Sequence, residues 1–335
     1  MNIKDVASHL DVSPSTVSRV LNDHPDVSDA MRDRVMEAAR ELGYQPDFLA
    51  QSLRGGFTRT IGFVLRDLSN PIFADIVKGA ETTLRDAGHA LILANSEGDP
   101  DLDVRNVRIL DQRRVDGMLL SLQSESREDL RRTVEELEIP IVLIDRDIPH
   151  ADAGAVFCDH RSGVLAATDH LLELGHRRVA FISGPRDIRA TRERLAGYQE
   201  AFRKRGLEED DHLVRLGSYA REFGHAETLG LMAQRDRPTA VVSAGVQGTA
   251  GVLAACRELG LALGRDYSLV SCDEIDFMSF VDPPISVVRR DAALIGRMAG
   301  ELLLEMVVGG EGARQVVLPT DYVPRGSSAN PPSST

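Results

Sequence analysis

Two groups of side chains in this 335-residue chain have the types and spacing to do recognition chemistry. The first is Pro14, Ser15, Thr16, Ser18, Arg19 and Asn22, which bring hydroxyls, one guanidinium and one amide into a short stretch. Small polar groups beside a single arginine suit DNA phosphates and base edges in the major groove. The second is Arg186, Arg189, Arg192 and Arg194. Fork-shaped guanidinium groups suit carboxylates and phosphates, so this run reads either as part of an anion site or as a solvated face. Catalytic groupings are less marked. Gly245, Gly248 and Gly251 follow an apolar run with GxxGxxG spacing rather than GxGxxG, which points to close helix packing instead of a dinucleotide loop. His160, His170 and His176 flank one helical stretch without HExxH spacing, and Cys158, Cys256 and Cys272 are too far apart to form a zinc pair. No metal, no cofactor and no enzymatic activity are expected.

The elements that position the first group are short helices. Ile3, Val6, Ala7 and Leu10 fall on one helical face. Asp11-Val12-Ser13-Pro14 interrupts, with Ser13 placed to cap the next helix and Pro14 suited to its first position. That helix buries Val17, Val20 and Leu21, leaving the polar group outward. A third helix is expected from Ser28, its N-cap, through Met31, Val35, Ala38 and Leu42 to Gly43. Three helices in so short a span fit a helix-turn-helix unit.

From Thr60 the texture becomes alternating strand and helix. Apolar runs at 60–65, 89–95, 116–122 and 139–145 alternate with helical patterns starting near Pro71, Asp99 and Glu125. A second series has runs at 177–183, 212–217, 239–244, 267–272 and 284–288, with helices near 191–206, 222–235 and 247–260. A last helix over about 291–308 and a run at 315–319 complete it. The fold class is therefore α/β, with parallel sheets in two lobes. Ligands in open α/β sheets bind beyond the C-terminal strand ends. Those ends are Arg66 to Asn70, Gln123-Ser124, Asp145-Arg146, Ser183 to Pro185, Gly245 to Gln247 and Asp273-Glu274.

Composition sets limits. The net charge is −13 with 42% hydrophobic residues, and no run of eighteen apolar residues offers a membrane span. The start shows no signal-peptide pattern, so a cytoplasmic protein with no membrane partner is expected. Residues 1–59 hold seven Lys/Arg against nine Asp/Glu. Any DNA contact must then rest on a few placed groups and helix N-termini rather than on a basic surface.

The residues IKDVA at 3–7 and VSPSTVSRVLN at 12–22 closely resemble the headpiece of the lactose-repressor (LacI/GalR) family of bacterial regulators. One departure is Asp11, where the family usually has Gly or Asn. The likeness extends over nearly the whole chain, whose later part resembles the family's effector-binding core, built like periplasmic sugar-binding proteins. It implies a helix-turn-helix headpiece at 1–45, a hinge or linker at 46–57 and a core at 58–325. The core's N-lobe would take about 58–159 and 291–318, and its C-lobe about 162–288 and 320–325. A disordered Pro/Ser-rich tail is expected at 326–335. Physics alone favours a flexible linker at 46–56, since seven helical residues are too few to stand alone. The resemblance implies instead a hinge helix that orders on DNA, with Leu53 as a minor-groove wedge beside Ala50 and Arg54.

The resemblance further implies a transcriptional regulator, a repressor that binds a pseudo-palindromic operator as a homodimer. A small metabolite in the cleft would control it: a sugar, a sugar acid or a related anion. Asn70 and Phe73 match a segment whose aromatic packs on the ligand. Arg194, Tyr219 and Asp273 match effector contacts, and Gln123, Arg146, Arg189 and Gln247 complete the candidate effector set. Gly245-Val246 stands where many sugar-binding members carry Asn-Asp. The competing reading is a solute-binding or enzymatic α/β protein whose headpiece plays no regulatory part.

Overall fold

A computed structural model describes the chain except residues 1, 22–23, 25, 45–56, 150–152, 311–313 and 333–335. It divides into two units, residues 1–58 and 59–335.

Among the described residues the first unit has three helices: α1 (Ile3–His9), α2 (Pro14–Leu21) and α3 (Asp29–Glu41). Val6 and Ala7, Val17 and Val20, and Val35 and Ala38 form its core. Asn2 and Asp5 make a reciprocal cap at the start of α1: the Asn2 side chain accepts from Lys4 N at 2.8 Å, and Asp5 accepts from Asn2 N at 2.7 Å. Ser13 Oγ accepts from Thr16 N at 3.1 Å, so it caps α2. Asp11 adopts a left-handed φ of 53°. That conformation explains why Gly or Asn suits the turn. Ser28 occupies the N-cap of α3 but makes no side-chain cap bond. The segment 46–56 lies outside the described residues, and with it the hinge reading.

The second unit holds two six-stranded sheets. Its elements, in order, are β1 (Thr60–Leu65), α4 (Pro71–Asp86), β2 (Ala90–Asn95), α5 (Pro100–Gln112), β3 (Gly117–Ser121), α6 (Glu128–Glu135), β4 (Ile141–Ile144) and β5 (Ala153–Cys158). Then come α7 (His160–Glu173), β6 (Val179–Ser183), α8 (Arg189–Lys204), β7 (Val214–Leu216), α9 (Arg221–Met232), β8 (Ala240–Ala244), α10 (Val246–Glu258) and β9 (Ser268–Cys272). The chain ends with β10 (Ser286–Arg289), α11 (Ala292–Val307), β11 (Gln315–Leu318) and β12 (Asp321–Val323). One sheet has the order β11-β5-β4-β3-β1-β2, the other β12-β10-β9-β8-β6-β7. Every pairing is parallel except β12 on β10. The chain therefore passes between lobes three times: β5 to α7, β10 to α11, and β11 to β12. Asp159 and Asp291 end the first two passages as helix caps, accepting from Ser162 N at 3.0 Å and Leu294 N at 2.8 Å.

Helices on both faces bury the central strands, which read as near-continuous apolar runs for that reason. Ile61, Phe63 and Leu65 of β1 pack with Ile76 and Leu84 of α4 and with Ile295, Leu302 and Leu303 of α11. Contact between α4 and α11 is at backbone distance: a Cβ on Gly296 would lie 1.9 Å from Ile76 O. Gly251 of the GxxGxxG run likewise lies against the Arg221 carbonyl of α9, where a Cβ would be 2.2 Å away, so the run serves helix packing. The periodicity does not single out β5, because AGAVFC is short and rich in small residues. It also misses β12, which is three residues long.

The tail is corrected. Residues 326–332 are built into the C-lobe rather than disordered. Ser327 is fully buried. Its hydroxyl accepts from Ser286 N at 2.7 Å and donates to Leu269 O at 2.6 Å, while its carbonyl accepts from Leu269 N at 3.0 Å. His176 Nε2 donates to the Ala329 carbonyl at 2.9 Å. A polar composition signals disorder only when the polar groups find no partners, and here the sheet edge supplies them.

Candidate functional site

The strand ends of the two lobes face each other across a cleft with free space of about 40 Å³. From the N-lobe come Arg66 after β1, Asn70 and Phe73 at the start of α4, and Asp145 and Arg146 after β4. The C-lobe contributes Arg194 from α8, Tyr219, Gly245 and Asp273, and Arg290 enters from the β10–α11 passage. Asn70 caps α4 by accepting from Ile72 N at 3.3 Å, which sets Phe73 in the first turn facing the cleft. Asp145 and Asp273 both carry left-handed backbones, with φ of 50° and 81°. Such strain on non-glycine residues is tolerated where surrounding contacts enforce it, and here it turns two carboxylates toward one guanidinium.

That guanidinium is Arg290. Its Nε donates to Asp273 Oδ1 at 2.7 Å and its Nη2 to Oδ2 at 3.3 Å, while its Nη1 reaches Asp145 Oδ2. Asp145 also accepts from Cys158 N at 2.8 Å and lies 3.1 Å from His160 Nε2. Burial opposes ionisation of Asp145, but His160 and Arg290 outweigh it and hold the carboxyl well below its usual range. Asp273 is held low against burial by Arg290 and then Arg194. Burial, followed by the charge of Arg194, pushes His160 down to about 4 despite Asp145. At neutral pH His160 is therefore a neutral donor to Asp145, and the contact is a hydrogen bond rather than an ion pair. Asp145, Cys158 and His160 bring possible ligand atoms within 4.8 Å of one another. Arg290 already occupies that corner, and burial with the Asp145 charge pushes the Cys158 thiol up to about 12. The group is an ion-pair cluster, ill suited to a cation.

The remaining arginines are less satisfied. Arg194 Nη2 lies 3.8 Å from Asp273 Oδ2 and its Nη1 is 3.5 Å from the Tyr219 hydroxyl, but its Nε is buried without a hydrogen-bond partner among the described residues. Arg146 donates to the carbonyls of Leu122 and, at 2.8 Å, Asp145. Arg66 lies 4.9 Å from the Tyr219 ring centre and 5.9 Å from that of Phe73. Burial and then the neighbouring Arg146 push its pKa down to about 10.

Side chains also span the cleft rim. Gln247 donates to Asp67 Oδ2 at 2.9 Å and Ser69 Oγ at 3.0 Å. Ser124 and Ser126 donate to Asp187 at 2.7 and 3.0 Å, and Glu125 accepts from Arg189 N at 2.8 Å. The free space takes only a few waters, so a sugar-sized ligand requires the lining to rearrange.

Six of the nine sequence-selected effector residues line the cavity: Asn70, Phe73, Arg146, Arg194, Tyr219 and Asp273. Gln123, Arg189 and Gln247 do not. Gln123 N donates to Asp103 at 2.6 Å, the Arg189 guanidinium stacks 4.0 Å from the Phe157 ring centre, and Gln247 serves the rim. In the arginine run only Arg194 reaches the cavity: Arg186 is exposed, and Arg192 pairs with Glu125 at 3.0 Å. Arg66 and Asp145 stood in the strand-end segments without an assigned role. Arg290 was missed altogether, because it lies between lobes, where the strand-end rule does not look.

In the first unit, α2 leaves Pro14, Ser15 and Arg19 exposed and Thr16 and Ser18 half-buried. Ser13 Oγ lies 2.7 Å from Ser15 Oγ and 2.9 Å from Thr16 Oγ1, which fixes both hydroxyls at the helix N-terminus. Asn22, Ala50, Leu53 and Arg54 lie outside the described residues.

The sequence profile of bacterial regulatory proteins of the lacI family matches residues 2–47, and that of the periplasmic binding protein-like domain matches 168–328. The ribose operon repressor of Escherichia coli (strain K12) is 33% identical over 306 residues, covering 91% of this chain and 92% of its own. The chain belongs to the LacI family of bacterial transcriptional regulators. The transcriptional repressor PurR of Aliivibrio salmonicida is 30% identical over 316 residues, covering 94% of each chain. The crystal structure of the lac repressor dimer bound to operator and the anti-inducer ONPF superposes with a TM-score of 0.86 at 26% identity, covering 98% of this LacI-family chain and 99% of that one. No helix of the described residues is long and apolar enough to cross a membrane.

Proposed function

We propose that this LacI-family regulator is a homodimeric repressor that reads a pseudo-palindromic operator through α2 and is controlled by a small metabolite held in the cleft. The carrying observation is the polar cleft between the two sheets, lined from both lobes and bridged by hydrogen bonds, in a chain that also bears a helix-turn-helix. A ligand that favours the open or the closed arrangement shifts the balance between them, and with it the geometry presented to DNA. The exposed N-terminus of α2 supplies Pro14, Ser15, Thr16, Ser18 and Arg19 for the groove, with Asn22 following. Leu53, flanked by Ala50 and Arg54, is the minor-groove wedge. Apolar side chains exposed on the second unit, among them Ile92 and Leu93 on the edge strand β2, suit a second copy. The protein is not an enzyme and acts in the cytoplasm, where operator DNA is found. Selection of operator sequences from a random pool tests this reading. Wild type should enrich a two-fold symmetric site, Arg19→Ala should relax one position per half-site, and Leu53→Ser should abolish tight binding while ligand affinity stays intact. Enrichment of no symmetric site would overturn it.

A further inference from the structure

We infer that the effector is a small oxyanion, a phosphorylated or carboxylated metabolite, whose charged group is seated by Arg66, Arg146 and Arg194. The inference rests on the cleft being the effector site and adds the chemical class of what enters it.

The donor and acceptor inventory of the cleft is one-sided. A neutral polyhydroxy ligand needs acceptors for its hydroxyl protons, yet both carboxylates of the cleft are already engaged. Both oxygens of Asp273 receive Arg290, and Asp145 receives Arg290, His160 and Cys158 N. Asn70 Oδ1 is committed to capping α4. At the end of β8 the chain offers only Gly245 and Val246, and Gln247 is turned to the rim. Donors, in contrast, are in surplus. Four guanidinium groups, Arg66, Arg146, Arg194 and Arg290, line the cavity against two carboxylates. Arg194 Nε is buried with no hydrogen-bond partner among the described residues, and Arg66 lies over the rings of Tyr219 and Phe73. Buried like charges lining one cavity call for an anion among them. The lowered pKa of Arg66 has its second-largest cause in Arg146, which an oxyanion placed between the two would reverse. Phe73 and Tyr219 then offer ring faces to the carbon skeleton.

The full chain should be titrated by calorimetry at low ionic strength with gluconate, glucose 6-phosphate, ribose 5-phosphate and inorganic phosphate, and with neutral ribose and cellobiose. At least one anion should bind, more weakly as salt rises. Arg66→Gln should weaken that binding at least tenfold, Arg66→Lys should fall between, and the exposed Arg186→Gln should match wild type. The gluconate and phosphate arms separate a carboxylate ligand from a phosphate ligand. No response to any of the four anions overturns the inference, as does anion binding unchanged in Arg66→Gln. A neutral sugar that binds alone and alters operator affinity overturns the anion but leaves the regulator standing. An anion that binds without altering operator affinity does the reverse.

Discussion

Arg66, on the N-lobe, stacks 4.9 Å from the ring centre of Tyr219, on the C-lobe. The contact joins the lobes through a buried cation that lies over two aromatic faces. The pKa of Arg66, pushed down from 12.5 to about 10 by burial and Arg146, corresponds to roughly 3 kcal/mol against the charged form. A cation–π contact returns roughly 0.5–2 kcal/mol, so desolvation wins. Arg66→Met, which keeps the apolar stem and removes the charge, should stabilise the ligand-free protein by about 1–2 kcal/mol, a rise of a few degrees in thermal midpoint. Thermal unfolding without ligand checks this, and a lower midpoint would show that the stacking dominates.

Gly184 makes room for the same ring. A Cβ there would lie 2.2 Å from Tyr219 Cε2. Gly184→Ala should displace the ring, destabilise the core by about 1–3 kcal/mol and weaken ligand binding at least tenfold. Combining Gly184→Ala with Tyr219→Ala should be less destabilising than the sum of the two, because the second change removes the clash. Additive effects in denaturant titrations would show that the two residues do not interact.

His160 gives the fold an acid sensitivity of known sign. Its folded pKa of about 4 lies below the ordinary 6.5, so the unfolded chain binds more protons between those values. Stability is therefore lost as pH falls from 6.5 to 4, by roughly 3 kcal/mol at the end of the window. His160→Gln can still donate to Asp145 and does not titrate. Urea unfolding at pH 7 and pH 4.5 should show a smaller drop for the variant than for wild type, and equal drops would remove His160 as the cause.

The last residues hold the C-lobe. Truncation after Arg325 would leave Leu269 N and Ser286 N, deep in the lobe, without their partners on Ser327. Two such groups cost about 2–6 kcal/mol. The truncated protein should unfold at correspondingly lower denaturant than the full chain.

The sheets were legible because their central strands are short apolar runs buried on both faces, and because Asn70-Pro71 and Asp99-Pro100 announce helix starts. The α2 surface was legible because a cap, a proline and three spaced apolar residues leave few alternatives. The cleft was half legible. Residues at strand ends could be found by topology, which gave Arg146 and Asp273. Arg290 could not, since its role depends on a passage between lobes that brings it within reach of Asp145 and Asp273, 145 and 17 residues away in the chain. The arginine run at 186–194 drew attention by density, but helical geometry turns only Arg194 inward. The tail misled because composition records polarity and not the sheet edge that receives it.

The interleaving of the lobes has a consequence for synthesis. The three helices of the first unit and their core are complete by Tyr44, so they can fold as soon as they leave the ribosome. The larger unit has no such independence. Its first sheet lacks β11 and the packing of α11, and its second lacks β12, until about the final eighth of the chain emerges. Each lobe waits for residues made after the other. A nascent or prematurely ended chain can thus present a finished DNA-reading head on an unfinished body, and both sheets close only when translation is nearly done.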